Sequence, residues 1–297
     1  MQETRALGRT GLRVSALGLG AGPLGDAALA DDLAVALVQR AVDAGVTLVD
    51  TAPSYGASEA RIGRALQAGG RRERVVLVTK GGYGVPGVAD WTPAIVEAGI
   101  AQALARLGTT WLDVFLLHSC DAVTLEQMLP ALVRARAGGA VRAIGYSGDG
   151  DALAWAVRCG ALDVVECSVN VVDQAALAAA IPEAAARGLG VLAKRALANA
   201  AWGHADRPAR ADTAIYWDRW RALAASGVEL AREAWTDAAV RFAAYAEGVS
   251  SALVGTREAA HLDAALAAVA RGRLPDARAE ELRAGFARLG AAWAGVV

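Results

Sequence analysis

A chain of 297 residues with 30 basic and 31 acidic side chains, net charge −1, has no electrostatic footprint for nucleic acid or an anionic membrane. Its hydrophobic content of 55% owes much to alanine-rich, helix-like stretches such as 175–186, and no apolar run reaches the roughly 18–20 uncharged residues of a membrane span. Met1 to Arg9 is polar with no apolar signal core, and Cys120, Cys159 and Cys167 form no CxxC pair, so a cytoplasmic chain with free thiols is expected.

Taken in chain order, Thr4 to Ser15 predicts a short hairpin turning near Gly8 to Gly11. Beyond it one unit repeats: a short apolar run, a loop, an amphipathic helix. The runs are Ser15–Gly20, Val46–Thr51, Val75–Lys80, Leu112–His118, Val141–Ser147, Asp163–Asn170, Val191–Leu197 and Ser251–Thr256. Helices are expected near 30–44, 58–68, 93–107, 124–137, 151–158, 174–187 and 235–246, with a last pair near 258–270 and 278–290. The runs are apolar on both faces, as strands covered by helices must be. The helices show a 3.6-residue period, as in Ile100, Ala103, Leu104 and Leu107, and several end at a glycine such as Gly45, Gly108 or Gly139. Eight such units predict an α/β fold of the (β/α)8 TIM-barrel type, one domain over residues 1–297, with the hairpin as an N-terminal cap.

The longest irregular stretch expected is 198–228, after the seventh strand, with Trp202, Tyr216, Trp217, Trp220, Arg207 and Arg210. Its position above the C-terminal face suggests a lid or pocket wall. The blander reading is a short surface helix anchored by Trp217 and Trp220.

Reactive groups of a parallel barrel sit at the C-terminal ends of its strands. Those ends carry Asp50, Lys80 and His118, with Tyr55 five residues past Asp50. Each could be a cap, a rim residue or a core histidine, but four on three consecutive strand ends suggest a site. An ammonium beside a phenol favours the phenolate, so Lys80 is expected to lower the Tyr55 pKa, with Asp50 pairing Lys80. Tyr55 then suits proton transfer to or from a carbonyl oxygen that His118 orients. Hydride must come from a cofactor, since no side chain supplies one. Two rivals need weighing. Gly20-Ala-Gly-Pro-Leu-Gly25 matches the dinucleotide GxGxxG, but Pro23 and Asp26 put the helix start near Ala28, so Gly20 more simply gives a cofactor room at the first strand's end. A Schiff-base aldolase would use Lys80, but needs that lysine neutral.

Val49-Asp-Thr-Ala-Pro-Ser-Tyr-Gly56 with Ser58, Glu59 and Gly63, then Val78-Thr-Lys80, Leu107 to Asp113 and Leu116-Leu-His118, resembles the signature of the aldo-keto reductase family. The opening Leu7 to Ser15 resembles that family's barrel-plugging hairpin. The resemblance implies that Tyr55 is the general acid/base, tuned by Lys80 and Asp50, with His118 orienting substrate. It also implies an extended NADP(H), with NAD(H) as the alternative, held by Ser147, Glu166 and Lys194, Arg195 and Leu197. The adenosine end falls to Gly255, Thr256, Arg257 and His261, with Arg257 able to meet a 2′-phosphate. The chain departs from the family pattern at Gly148, Glu166, Lys194, Ala264 and Ala265, and a Lys194–Glu166 pair is one expected consequence. The expected function is hydride transfer between a nicotinamide cofactor and a small carbonyl or aldose substrate, with Tyr83, Trp91, Trp202 and Trp217 as candidate pocket walls. The alternative is an NADP(H)-binding redox-sensing module of little turnover.

Overall fold

The computed structural model describes residues 3–67, 69–228, 230–231, 234–290 and 293–296. Strands β1 (Thr4–Ala6) and β2 (Arg13–Ser15) pair antiparallel, and Gly8 and Gly11, at φ +54° and +75°, turn the chain between them. Leu7 inserts fully buried beneath Leu48, Val76, Val114, Val164, Leu192 and Leu253, which are strand side chains facing the barrel axis. Only glycine fits at position 8, because a Cβ there would lie 2.2 Å from the Gly190 nitrogen. The hairpin therefore stoppers the N-terminal end of the barrel.

The barrel follows as β3 (Leu17–Gly20), α1 (Asp31–Asp43), β4 (Leu48–Asp50), α2 (Ser58–Leu66), β5 (Val76–Gly81), α3 (Pro93–Leu107), β6 (Leu112–His118), α4 (Ala122–Ala137), β7 (Val141–Ser147), α5 (Gly150–Arg158) and β8 (Val164–Ser168). It continues through α6 (Ala175–Ala178), α7 (Ala180–Ala186), β9 (Gly190–Lys194), α8 (Ala211–Ala225), α9 (Ala234–Ala244), β10 (Ser251–Val254), α10 (Ala259–Ala270) and α11 (Asp276–Leu289). Strands β3 to β10 close in sequence order, all parallel, with β10 returning to β3. This is the expected (β/α)8 barrel. Apolar strand residues on the outer face, such as Leu77, Phe115 and Val165, meet Ile62, Ile100, Leu132 and Val157 of the surrounding helices in the largest core. At about 25 cal/mol per Å2 buried, that double-sided packing is what stabilises a sheet with no free edge.

Two expectations need correction. The helix expected at 174–187 breaks at Ala179, whose φ/ψ of −143°/−55° separates α6 from α7. The stretch 198–228 is not irregular: a 3-10 turn at Ala198–Gly203 precedes the 15-residue α8. Its Tyr216, Trp220 and Leu223 recur every three to four residues and meet Trp202, Trp235 and Leu282 in a satellite core. Trp202 stacks on Trp235 at 6.2 Å, and Trp220 meets Trp235 edge-on at 6.3 Å. Among the described residues no helix is long and apolar enough to cross a membrane.

Candidate active site

Strand register sets the height of each polar side chain. Asp50 pairs with Gly20, His118 with Ser147, Ser147 with Glu166, and Lys194 with Ser168. Past β4 the chain folds back on the loop after β3. A Cβ at Gly25 would fall 1.5 Å from the Tyr55 carbonyl oxygen, and Gly56 turns at φ +52° against the Gly25 carbonyl. That backbone contact holds Tyr55 over the barrel mouth.

The Lys80 ammonium lies 5.7 Å from the centre of the Tyr55 ring and donates to Asp50 Oδ2 and, at 3.2 Å, to the Thr51 carbonyl. It also pairs at 3.3 Å with Glu166 Oε2. Glu166 Oε1 accepts from Ser147 Oγ at 2.8 Å. His118 meets Tyr55 edge-on, ring centres 6.1 Å apart, and its Nδ1 is hydrogen bonded to the Tyr83 hydroxyl. Lys80, Asp50 and Glu166 are all buried, so one ammonium faces two carboxyls away from water.

Burial and the Glu166 charge push the Asp50 carboxyl well above the usual range against the pull of Lys80. Burial also opposes ionisation of Glu166, but Lys80, Lys194 and the Ser147 hydroxyl hold it below its ordinary value. For Lys80, burial alone would favour the neutral amine, yet Asp50 and then Glu166 raise its pKa. A lysine held protonated is no Schiff-base nucleophile. The Tyr55 phenol runs against expectation: burial pushes it up to about 12, with Asp50 and Glu166 adding to the rise and Lys80 offsetting only part of it. The second carboxylate, invisible as a neighbour in sequence, is one reason. His118 goes down to about 3, by burial first and then by Lys80, so its ring is neutral at pH 7.

A cleft of about 960 Å3 opens above this cluster, bounded by Gly20, Gly22, Asp50, Tyr55, His118, Glu166, Lys194, Arg195, Leu197, Gly255 and Arg257. Lys80 and Ser147 lie beneath its floor, while Thr256 and exposed His261 lie off its rim at the start of α10. The expected Lys194–Glu166 pair does not form. Lys194 is one layer higher, level with Ser168, and its ammonium pairs at 3.2 Å with Asp149, whose carboxylate also accepts from Ser168 N. Arg257 reaches back across the mouth to Asp26 at 2.6 Å, tying the loop after β10 to the loop after β3. Trp202 and Trp217 do not wall the cleft. Trp202 belongs to the satellite core and the Trp217 indole donates to the His204 carbonyl, while Asn199, Ala200, His204, Arg210 and Thr213 supply the wall instead. These small and polar residues carry no periodic signal.

Arg195 and Ala198 to Ala200 all have φ between +45° and +57°, a left-handed run of non-glycine residues on the cleft wall. Such backbone costs of order 1 kcal/mol per residue and persists only where surroundings fix it. Here Arg195 Nη1 donates to the Val296 carbonyl, and Val296 N donates to Asp173, both at 3.0 Å. The chain's C-terminal segment is thus clamped beside the cleft. The site fits a dinucleotide amide: Glu166 Oε2, buried and facing the cleft, pairs with Lys80 and has no hydrogen-bond partner among the described residues, so it can accept from an amide NH2.

The sequence model of the aldo/keto reductase family matches residues 16–285. The L-galactose dehydrogenase of Arabidopsis thaliana is 35% identical over 211 residues, 66% of this chain and 66% of that protein. The D-threo-aldose 1-dehydrogenase of a Pseudomonas species is 35% identical over 221 residues, 63% of this chain and 67% of its own. The chain thus spans about two thirds of the length of these relatives. A solved structure from Pseudomonas aeruginosa, described as an aldo-keto reductase, superposes with TM-score 0.72 at 29% identity over 90% of this chain and 94% of its own. An aldo-keto reductase of Bacillus halodurans in its holo form reaches 0.82 at 20% identity over 96% of each chain, a likeness of fold.

Proposed function

Because the chain belongs to the aldo/keto reductase family, an oxidoreductase family, we propose that it interconverts a small aldose or alcohol and its carbonyl partner with a nicotinamide cofactor. The observation that carries this reading is the buried Asp50–Lys80 pair under Tyr55, with His118 on the same cleft. NADP(H) is the cofactor of first choice and NAD(H) the alternative. Glu166 and Ser147 would take the carboxamide, and Gly20, Lys194, Arg195 and Leu197 the length of the dinucleotide. Gly255, Thr256, Arg257 and His261 would serve the adenosine end. The bound nicotinamide supplies or removes the hydride.

The rest falls to side chains. Tyr55, protonated at neutral pH, gives its proton to the carbonyl oxygen during reduction and takes it back during oxidation. Lys80 stabilises the phenolate left behind, and neutral His118 can donate a hydrogen bond to the same oxygen. Two relatives are named an L-galactose dehydrogenase and a D-threo-aldose 1-dehydrogenase, which supports a polyhydroxylated substrate. We read the chain as one such domain acting in the cytoplasm.

Fluorescence titration with NADPH and NADH, followed by an absorbance screen of aldoses, aldehydes and quinones, tests this. Tight binding with turnover of an aldose or aldehyde is expected. Binding without turnover across the panel would favour the redox-sensing alternative, and no binding would sink both.

A further inference from the structure

Tyr83 lies three residues beyond Lys80, in the loop between β5 and α3, and its hydroxyl sits between two partners. One is Ser54 Oγ at 2.9 Å; the other is Nδ1 of His118. The ring is backed by Trp91, centre to centre 5.7 Å. Trp91 is held at a left-handed φ of +57°, and its N–H donates to the Gly82 carbonyl at 2.7 Å. A bulky residue in that conformation is strained, and it persists only where its surroundings fix it. Gly84 N donating to Asp90 at 3.0 Å closes the same loop.

We infer that Tyr83 is a positioning residue that selects the His118 tautomer: its O–H donates to Nδ1, which leaves the proton of the neutral imidazole on Nε2, the nitrogen free to donate to a substrate oxygen. The direction of that hydrogen bond follows from chemistry. A neutral imidazole nitrogen is a far better acceptor than a phenol oxygen, and a phenol is a better donor than an imidazole N–H. Ser54 completes the line by donating to the Tyr83 oxygen, which lowers the phenol's pKa against the rise from burial. With the bond reversed, Nδ1 would hold the proton and Nε2 could only accept. The site would then lose its neutral donor.

The inference rests on the proposed role of His118 in orienting a carbonyl, and its test separates the two. The chain has three histidines, at 118, 204 and 261, so ring nitrogen spectra of 15N-histidine protein are tractable, with His118→Gln assigning the signal. In the free wild-type protein at neutral pH, His118 should show a protonated Nε2 and an unprotonated Nδ1. In Tyr83→Phe, which removes only the hydroxyl, that single tautomer should give way to a mixture. The kcat for carbonyl reduction should fall about tenfold or more, with NADPH affinity unchanged. A wild-type His118 protonated at Nδ1 overturns the inference, and so does a Tyr83→Phe protein with wild-type tautomer and kcat. A wild-type spectrum with the proton on Nδ1 overturns the inference even if the variant misfolds, and since the spectrum needs no turnover it stands apart from whether the protein proves to be a reductase.

Discussion

Single side chains make the chemical case, and Tyr55 is the first to test. Its phenol is buried beside Lys80, with a pKa near 12, and is the group that holds a proton at the floor of the cleft. Tyr55→Phe should cut turnover by about 10²–10⁴-fold while NADPH affinity stays within about twofold, read from steady-state rates and fluorescence titration. Retained turnover would remove the phenol from the mechanism. Glu166→Gln probes the second carboxylate. In the basic range where Tyr55 titrates, an ionised Glu166 raises the phenol pKa, so removing its charge lowers that pKa. In the proposed mechanism reduction needs the protonated phenol, so the high-pH fall in kcat/KM should move to lower pH in the variant. A superimposable profile would mean Glu166 acts only on the cofactor. The positions of Asp50, Lys80 and His118 were legible because strand ends in a parallel barrel must converge. The partners of Glu166 and Lys194 were not. They depend on a height difference of one side-chain layer, set by β8–β9 register, which a linear chain does not display.

At the level of elements, the apolar runs and glycine-capped helices betray the barrel because burial on two sides forces continuous hydrophobicity. The region after β9 hid its helix, because α8 buries few residues and turns them toward a core built from distant segments. Trp235 on α9 is the centre of that core, 1% exposed between Trp202 and Trp220. Trp235→Ala should cost about 3–5 kcal/mol, seen as a lower urea midpoint with an unchanged slope. A loss under about 1 kcal/mol would show that α8 and α9 are held by something other than this stack.

Across the whole molecule, the hairpin stopper and the candidate site occupy opposite ends of one barrel. The stopper at the N-terminal end depends on Gly8, where a side chain would need both a left-handed backbone and space taken by Gly190. Gly8→Ala should therefore destabilise by about 2 kcal/mol or more and lower the melting temperature by several degrees. Its kcat per folded molecule should match the wild type; a changed kcat would mean the two ends are coupled. The first and last described segments are just as unlike. The first strand lies at the stoppered end, whereas Val296 is gripped by Ser168, Asp173 and Arg195, the last of which lines the cleft. Tension on Val296 would be felt at the cleft wall through Arg195, whereas tension on Thr4 would act on the hairpin.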